Sequence, residues 1–272
     1  MSAATVAVLQ FPGVNCETES VRALERAGLH AEVFGWKRPA AELRAFDAFV
    51  LPGGFSYQDR VRAGAIAAKD PLIDVLAEAA ERGAPVLGIC NGAQVLVESG
   101  LVPGGANVEL ALARNRMPDR SGYYARWIYV RIEESPCVFT RHLAVGTVLP
   151  LPMAHSEGRF LGEPGRMRDL ARNGQTPLRY ANSNGGIATE FPALPNGAEE
   201  SAAAVCNARG NVLAMMPHPE RAQDLGAVCR SITGEWASRR ARDLARCEDQ
   251  RLDVGGPGLE LFRGLASYLK EC

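Results

Sequence analysis

The segment Gly88-Ile89-Cys90-Asn91-Gly92 joins an apolar, strand-like run, Pro85 to Ile89, to a helix-like stretch, Ala93 to Glu98. A strand that turns so abruptly into a helix crowds its own backbone, and a glycine two places either side of the turn removes the Cβ atoms that would collide there. Cys90 would then project from a sheet edge at a helix N-terminus, where the partial positive charge suits a nucleophilic sulfur. A buried cysteine is ordinarily an inert packing residue. The paired glycines and the strand-to-helix context make this one a candidate nucleophile.

The rest of the chain repeats the same unit. Thr5 to Phe11, Ala31 to Phe34 and Ala48 to Leu51 have strand character, and Glu17 to Ala27 carries Val21, Leu24 and Ala27 at helical spacing before a stop at Gly28. Pro71 to Arg82 places Leu72, Val75, Leu76 and Ala79 on one helical face and ends at Gly83. Strands alternating with helices predict an α/β fold with a mostly parallel central sheet and helices on both faces. From Glu109 to Ile132 the segments shorten and alternate, as in Trp127 to Ile132, which predicts a small antiparallel addition. Asn211 to Met216 is a further buried strand ending at Pro217, and Leu259 to Leu269 is a closing amphipathic helix.

Length and charge narrow the classes. At 272 residues the chain can form one large domain or two small ones, and no linker or repeat marks a boundary, so a single domain over residues 1–272 is expected. With 30 basic against 31 acidic residues and a net charge of -1, no global field draws nucleic acid or an anionic membrane. The apolar runs are too short to span a bilayer, and the first residues resemble a strand more than a signal peptide. Cys16, Cys90, Cys137, Cys206, Cys229, Cys247 and Cys272 are scattered and odd in number, a pattern that fits a reducing cytosol. No C-x-x-C, H-x-x-x-H or H-E-x-x-H spacing provides a dedicated zinc site. Lys37, Lys69 and Lys270 do not follow glycine, so no Walker A loop can be written. Between Arg221 and Gly256 the chain is rich in arginine (Arg230, Arg239, Arg240, Arg242, Arg246, Arg251). The expected form is a solvated helix paired with Glu235, Asp243, Glu248 and Asp249, with a docking surface as the alternative.

A cysteine nucleophile needs a base and a group to orient that base. Pro217-His218-Pro219-Glu220 offers both, and in extended backbone residues i and i+2 share a face, so His218 and Glu220 can lie side by side. The segment follows a core strand, and chemistry in open α/β sheets gathers at the strands' C-terminal ends. Leu51-Pro52-Gly53-Gly54-Phe55-Ser56 follows another. The backbone N–H of Gly54 or Phe55, together with that of Asn91, is the expected oxyanion hole. These residues by themselves fit several cysteine hydrolases.

Cys90 in Gly-Ile-Cys-Asn-Gly-Ala-Gln, with His218 and Glu220 in Pro-His-Pro-Glu-Arg, resembles the triad-type, class I glutamine amidotransferases, whose domain is flavodoxin-like. Leu9 to Glu17, Pro52 to Tyr57, Arg62 to Ala67, Ala154 to Arg159 and Met215 to Arg221 are similar to motifs of one branch of them, the glutaminase subunits of phosphoribosylformylglycinamidine synthase. The resemblance implies that Cys90 attacks the side-chain amide of L-glutamine to form a thioester, that His218 moves the protons and that Glu220 steadies its imidazolium. It implies that Gln94, and the loop from His155 to Gly158, help hold glutamine. It also implies a cytoplasmic purine-biosynthetic role, no cofactor in this chain, and a separate synthetase subunit carrying ATP and magnesium, with a small third subunit. Two departures stand out: Gln58 replaces a usual glycine, and residues 222–256 resemble an insertion before the helix at 259–270. The alternatives are a glutaminase subunit for another synthetase, a γ-glutamyl hydrolase, or an inactive regulatory subunit.

Overall fold

The structure, a computed structural model, describes residues 4–105, 107–245 and 254–271. Arg246, Glu248, Asp249 and Arg251 of the predicted ion-pair set lie outside these residues. In chain order the elements are β1 (Thr5–Gln10), α1 (Glu17–Arg26), β2 (His30–Gly35), β3 (Ala48–Leu51), α2 (Pro71–Glu81), β4 (Val86–Ile89), α3 (Asn91–Glu98), β5 (Leu110–Arg114), β6 (Tyr124–Ile132), β7 (Val148–His155), β8 (Glu157–Gly162), α4 (Arg166–Arg172), β9 (Leu178–Ala181), β10 (Ala202–Cys206), β11 (Val212–Met215), α5 (Glu235–Leu244) and α6 (Leu259–Glu271).

Among the described residues, a 9-stranded sheet runs in the order β2-β1-β3-β4-β11-β10-β9-β6-β7. The strands from β2 through β11 pair in parallel, and those from β11 through β7 pair antiparallel. The predicted antiparallel addition therefore extends the central sheet itself, with a separate 2-stranded ribbon of β5 and β8 beside it. The crossover from β1 to β2 runs one way along the sheet and that from β3 to β4 the other. Right-handed connections consequently put α1 and α2 on opposite faces. β3, β4, β10 and β11 are buried at every residue, as strands covered on both sides must be.

Local chemistry explains these elements. Pro71 occupies the first turn of α2, where its missing N–H costs nothing, and the Asp70 side chain accepts the Leu72 N–H at 3.0 Å. Leu72, Val75 and Leu76 then bury one face, each contributing about 1.5–3 kcal/mol. β7 escaped the sequence reading because Pro150 and Pro152 interrupt it; it is an edge strand, where a residue without an N–H is tolerated.

Residues 225–227 form a 3-10 turn, and Leu225, Val228 and Ile232 make a small cluster against Trp127, Tyr129 and Trp236. The Trp236 Nε1–H donates to the Val148 carbonyl at 3.2 Å, tying α5 to β7. α5 itself has no buried residue, in keeping with a solvated helix. Its arginines follow the predicted pairing only in part. Arg239 reaches Asp243 at 4.0 Å, whereas Arg240 donates to the carbonyls of Val228 and Cys229, the latter at 2.7 Å, and so fastens the preceding loop.

Candidate active site

β3, β4 and β11 are adjacent and parallel, and each delivers one part of the site at its C-terminal end. β4 ends in Cys90, the N-cap of α3, with φ 52° and ψ -104°. A positive φ at a residue with a side chain is strained, and the surrounding structure fixes it. The Cys90 N–H donates to the Met215 carbonyl at 2.8 Å, and the Cys90 carbonyl accepts the Gln94 N–H at 3.1 Å. A methyl group at Gly92 would lie 1.9 Å from the Leu51 carbonyl oxygen, and one at Gly88 would lie 2.6 Å from the Gly92 carbonyl oxygen. Both glycines are therefore needed for α3 to leave the strand at this angle. α3 begins two residues earlier than the sequence pattern suggested, directly behind the sulfur.

β11 delivers His218 and Glu220. They do not share a face of extended backbone, as the i, i+2 argument supposed. Pro219 starts a 3-10 turn over Pro219–Ala222, with His218 as its N-cap, and the turn brings the two side chains together. His218 Nδ1 and Glu220 Oε1 are 2.5 Å apart, with the two residues 2% and 1% exposed. The His218 N–H donates to the Pro152 carbonyl at 2.8 Å, anchoring the turn to β7. Burial by itself would lower the pKa of His218. The negative charges of Glu220 and then Cys90, with hydrogen bonds to Cys16 and Cys90, outweigh it and hold the imidazole well above its ordinary value. The surroundings thus favour the imidazolium form of His218.

β3 delivers Gly53 and Gly54. The Phe55 N–H donates to the Gly13 carbonyl at 2.9 Å, so it is engaged elsewhere, and Gly54 is the member of that pair suited to an oxyanion. Asn91 opens α3, where a first-turn N–H has no acceptor within the helix. Its side chain is a brace: Oδ1 accepts the Ser56 N–H at 3.0 Å, and Nδ2 donates to Gln94 Oε1 at 3.0 Å and to Asp59 Oδ1 at 3.3 Å.

A cavity of about 100 Å³ lies over the sulfur, bordered by Gly54, Phe55, Cys90, Gln94, His155 and His218 among the predicted residues. Gln94 borders it with Oε1 accepting from Asn91 and Nε2 donating to the Glu157 carbonyl at 2.8 Å, so its amide is held in a fixed orientation at the wall. Gly158 does not border the cavity. A methyl group there would lie 2.2 Å from His155 Cε1, so its part is to make room for that ring, and its carbonyl accepts from Asn196 at 2.7 Å. His155 is held through its own carbonyl by Asn115 Nδ2 at 2.8 Å, which turns Asn115 Oδ1 toward His155 Nδ1 at 3.0 Å. Nδ1 then carries the proton, and Nε2 is a buried lone pair without a partner. Burial and then the charge of His218 press its pKa to about 3.

Ser156, within the predicted His155 to Gly158 loop, borders the cavity too, and the sequence reading missed Asp59, Tyr123 and Arg221, which also line it. Burial and then the charge of Glu157 raise the pKa of Asp59. It also missed Cys16, whose sulfur accepts from Arg221 Nη2 at 3.0 Å next to the His218 ring. Arg221 directly follows Glu220 in Pro-His-Pro-Glu-Arg, which was the available signal. Nothing local marked Cys16.

A cysteine with strained backbone and a buried His–Glu pair thus border one cavity at the C-terminal ends of parallel strands. Comparisons with known proteins give the family. A model of the CobB/CobQ-like glutamine amidotransferase domain matches residues 3–268. The chain is 42% identical over 98% of its length, and 98% of the relative's, to phosphoribosylformylglycinamidine synthase subunit PurQ of Methanothrix thermoacetophila. It is 41% identical over 86% of its length, and 98% of the relative's, to PurQ of Pyrococcus horikoshii. Among solved structures it resembles a chain of PurLQS from Thermotoga maritima, with a TM-score of 0.71 and 30% identity over 98% of this chain and 100% of that one. A glutamine amidotransferase from Thermotoga maritima, 16% identical with a TM-score of 0.51 and complete coverage of both chains, shares the fold. The chain belongs to the glutamine amidotransferases and, within them, to the family of PurQ subunits of phosphoribosylformylglycinamidine synthase.

Proposed function

We propose that this chain hydrolyses L-glutamine to glutamate and ammonia through Cys90, His218 and Glu220, and hands the ammonia to a separate synthetase subunit that makes phosphoribosylformylglycinamidine. The observation that carries the reading is the 2.5 Å His218–Glu220 pair, buried beside a cysteine whose backbone is strained toward the cavity. The proton rests on His218 at the outset. Cys90 Sγ attacks the amide carbon of glutamine, the S–C bond forms, and the negative oxygen is met by the Gly54 and Asn91 N–H groups. His218 gives its proton to the amide nitrogen, the C–N bond breaks and ammonia leaves. Water then attacks the thioester as His218 takes its proton, the C–S bond breaks and glutamate departs. Glu220 keeps the imidazole in one orientation throughout and stabilises its charged form.

ATP and magnesium belong on the synthetase, since the chemistry found here ends at ammonia. A small third subunit and a cytoplasmic setting go with the same reading. No helix of the described residues is long and apolar enough to cross a membrane. The test is Cys90→Ala in the complex with the synthetase. Glutamine-dependent formation of the amidine is lost while formation from added ammonium persists; survival of glutamine-dependent turnover overturns the assignment.

A further inference from the structure

Behind the catalytic pair sits a second sulfur that the reaction does not use. Cys16 Sγ and donor atoms of His218 and Glu220 all lie within 4.8 Å of one another, and the residues are 0%, 2% and 1% exposed. The chain brings them together from opposite ends of its sequence. Cys16 caps α1 next to β1, and the other two sit on the turn after β11. Gly53 lies between, and a methyl group on it would stand 2.7 Å from His218 Cε1 and 3.3 Å from Cys16 Sγ, so only a glycine lets the ring and the sulfur face each other. Glu220 Oε2 is buried without a hydrogen-bond partner. Sulfur, imidazole nitrogen and carboxylate oxygen are the donor set of a borderline-soft dication.

We propose that Cys16, His218 and Glu220 form an inhibitory site for a thiophilic divalent cation, zinc being the type case. Around a tetrahedral zinc, ligand atoms about 2.0–2.3 Å from the metal stand roughly 3.3–3.7 Å from each other. The 2.5 Å separation of Nδ1 and Oε1 must open, and the longer separations in the trio must close, by about 1 Å each. Arg221, which donates to the sulfur at 3.0 Å, has a side chain 39% exposed and can turn into solvent as the cation enters. Binding releases the Cys16 thiol proton and the proton shared by His218 and Glu220, so that one dication replaces two protons. The bound metal occupies the carboxylate that orients the imidazole and part of the imidazole itself, which leaves Cys90 without its proton carrier. Inhibition therefore rests on the triad reading, whereas binding does not.

The full chain with Cys90→Ser, which removes the nucleophile's sulfur, is titrated with cobalt(II) in the absence of oxygen. The thiolate-to-cobalt charge-transfer band is expected in this variant and is lost in Cys16→Ser/Cys90→Ser, with Cys16→Ala/Cys90→Ala as the repeat should serine disturb folding, monitored by circular dichroism. An equal band with and without Cys16 overturns the proposal, because the other cysteines then hold the metal. In parallel, zinc inhibition of glutamine hydrolysis is measured with Cys90 intact, in the parent chain and in Cys16→Ser and Cys16→Ala, each in complex with the synthetase and against its own uninhibited rate. Loss of the Cys16 ligand is expected to raise the inhibitory zinc concentration roughly tenfold or more, and equal sensitivity overturns the inhibitory role. Cobalt binding through Cys16 in a chain that keeps Cys90 yet hydrolyses no glutamine in complex with the synthetase refutes the glutaminase reading and leaves the site standing.

Discussion

His155 makes the stability of this protein fall in mild acid by an amount that can be worked out. Its ring is 3% exposed, rests on Gly158 and faces the cavity with an unpartnered Nε2, and burial followed by the charge of His218 lowers its pKa from 6.5 to about 3. In the unfolded chain the ring binds a proton near its ordinary value, and in the folded one it stays neutral. As the pH drops below about 6.5 the unfolded state therefore gains protons that the folded state refuses, and stability declines until the folded value is reached. Below that starting point the slope is about 1.4 kcal/mol per pH unit, which gives a loss of about 2 kcal/mol between pH 7 and pH 5. The figure is insensitive to the depressed pKa, since any folded value well below 5 leaves the ring neutral at the lower pH. Other titrating groups contribute as well, and His155→Gln removes this one while the rest are shared. Urea unfolding of both proteins at pH 7 and pH 5 is expected to show the parent losing about 2 kcal/mol more than the variant over that interval. Equal losses would mean that the ring titrates in the fold as it does in water, and the dry, neutral His155 would have to be given up.

Three further outcomes follow from the geometry. Gly92→Ala puts a methyl group 1.9 Å from the Leu51 carbonyl oxygen, a clash of backbone with backbone, and is expected to cost more than about 3 kcal/mol in urea unfolding together with the glutaminase activity. Glu220→Gln removes the chief charge that raises the pKa of His218. The imidazolium is then lost at lower pH, so the alkaline fall of kcat/KM moves toward neutrality, with a drop in kcat on the order of 10²-fold or more in the same rate–pH profile. Trp236→Ala loosens α5 from β6 and β7, and a loss of about 1–3 kcal/mol by thermal or urea unfolding is expected with little change in glutamine hydrolysis by the folded protein.

The parallel half of the sheet was legible in the sequence because fully buried strands and one-sided helices leave strong periodicities. Ala48–Leu51 agrees to the residue, and α1, α2 and β4 to within one. The antiparallel half was only glimpsed. β7 hides behind Pro150 and Pro152, tolerated because it is an edge strand, and β10 is short and consists largely of alanine, which has little strand preference. The proposed triad could be picked out in the sequence because Cys90, His218 and Glu220 follow strand ends, in local patterns of glycine or proline. The cavity walls were not, because tertiary packing chooses them. Nothing in its sequence neighbourhood distinguishes Gly158 as the floor under a histidine ring, or reveals that both ends of the Gln94 amide are taken. The i, i+2 argument for His218 and Glu220 identified the right pair by the wrong geometry, since Pro219 bends the chain into a 3-10 turn.

The two halves of the sheet divide the labour of the site. β3, β4 and β11 bring Gly54, the Cys90 sulfur and the His218 imidazole to one edge, where ladder hydrogen bonds hold the strands in register. The antiparallel half supplies the lid and the environment. Pro152 of β7 anchors the His218 turn, Ala154 places its carbonyl 3.6 Å from the sulfur, and His155 closes one wall as a neutral ring. A second cation beside His218 would weaken the pairing of imidazolium with Glu220 and Cys90, so burying His155 until it cannot hold a proton protects the charge pattern on which the proposed mechanism rests. The acid sensitivity argued above is thus the thermodynamic counterpart of that arrangement. Burial that keeps His155 neutral in the fold makes protonation favour the unfolded chain, and a neutral His155 leaves the imidazolium form of His218 unopposed by a second cation.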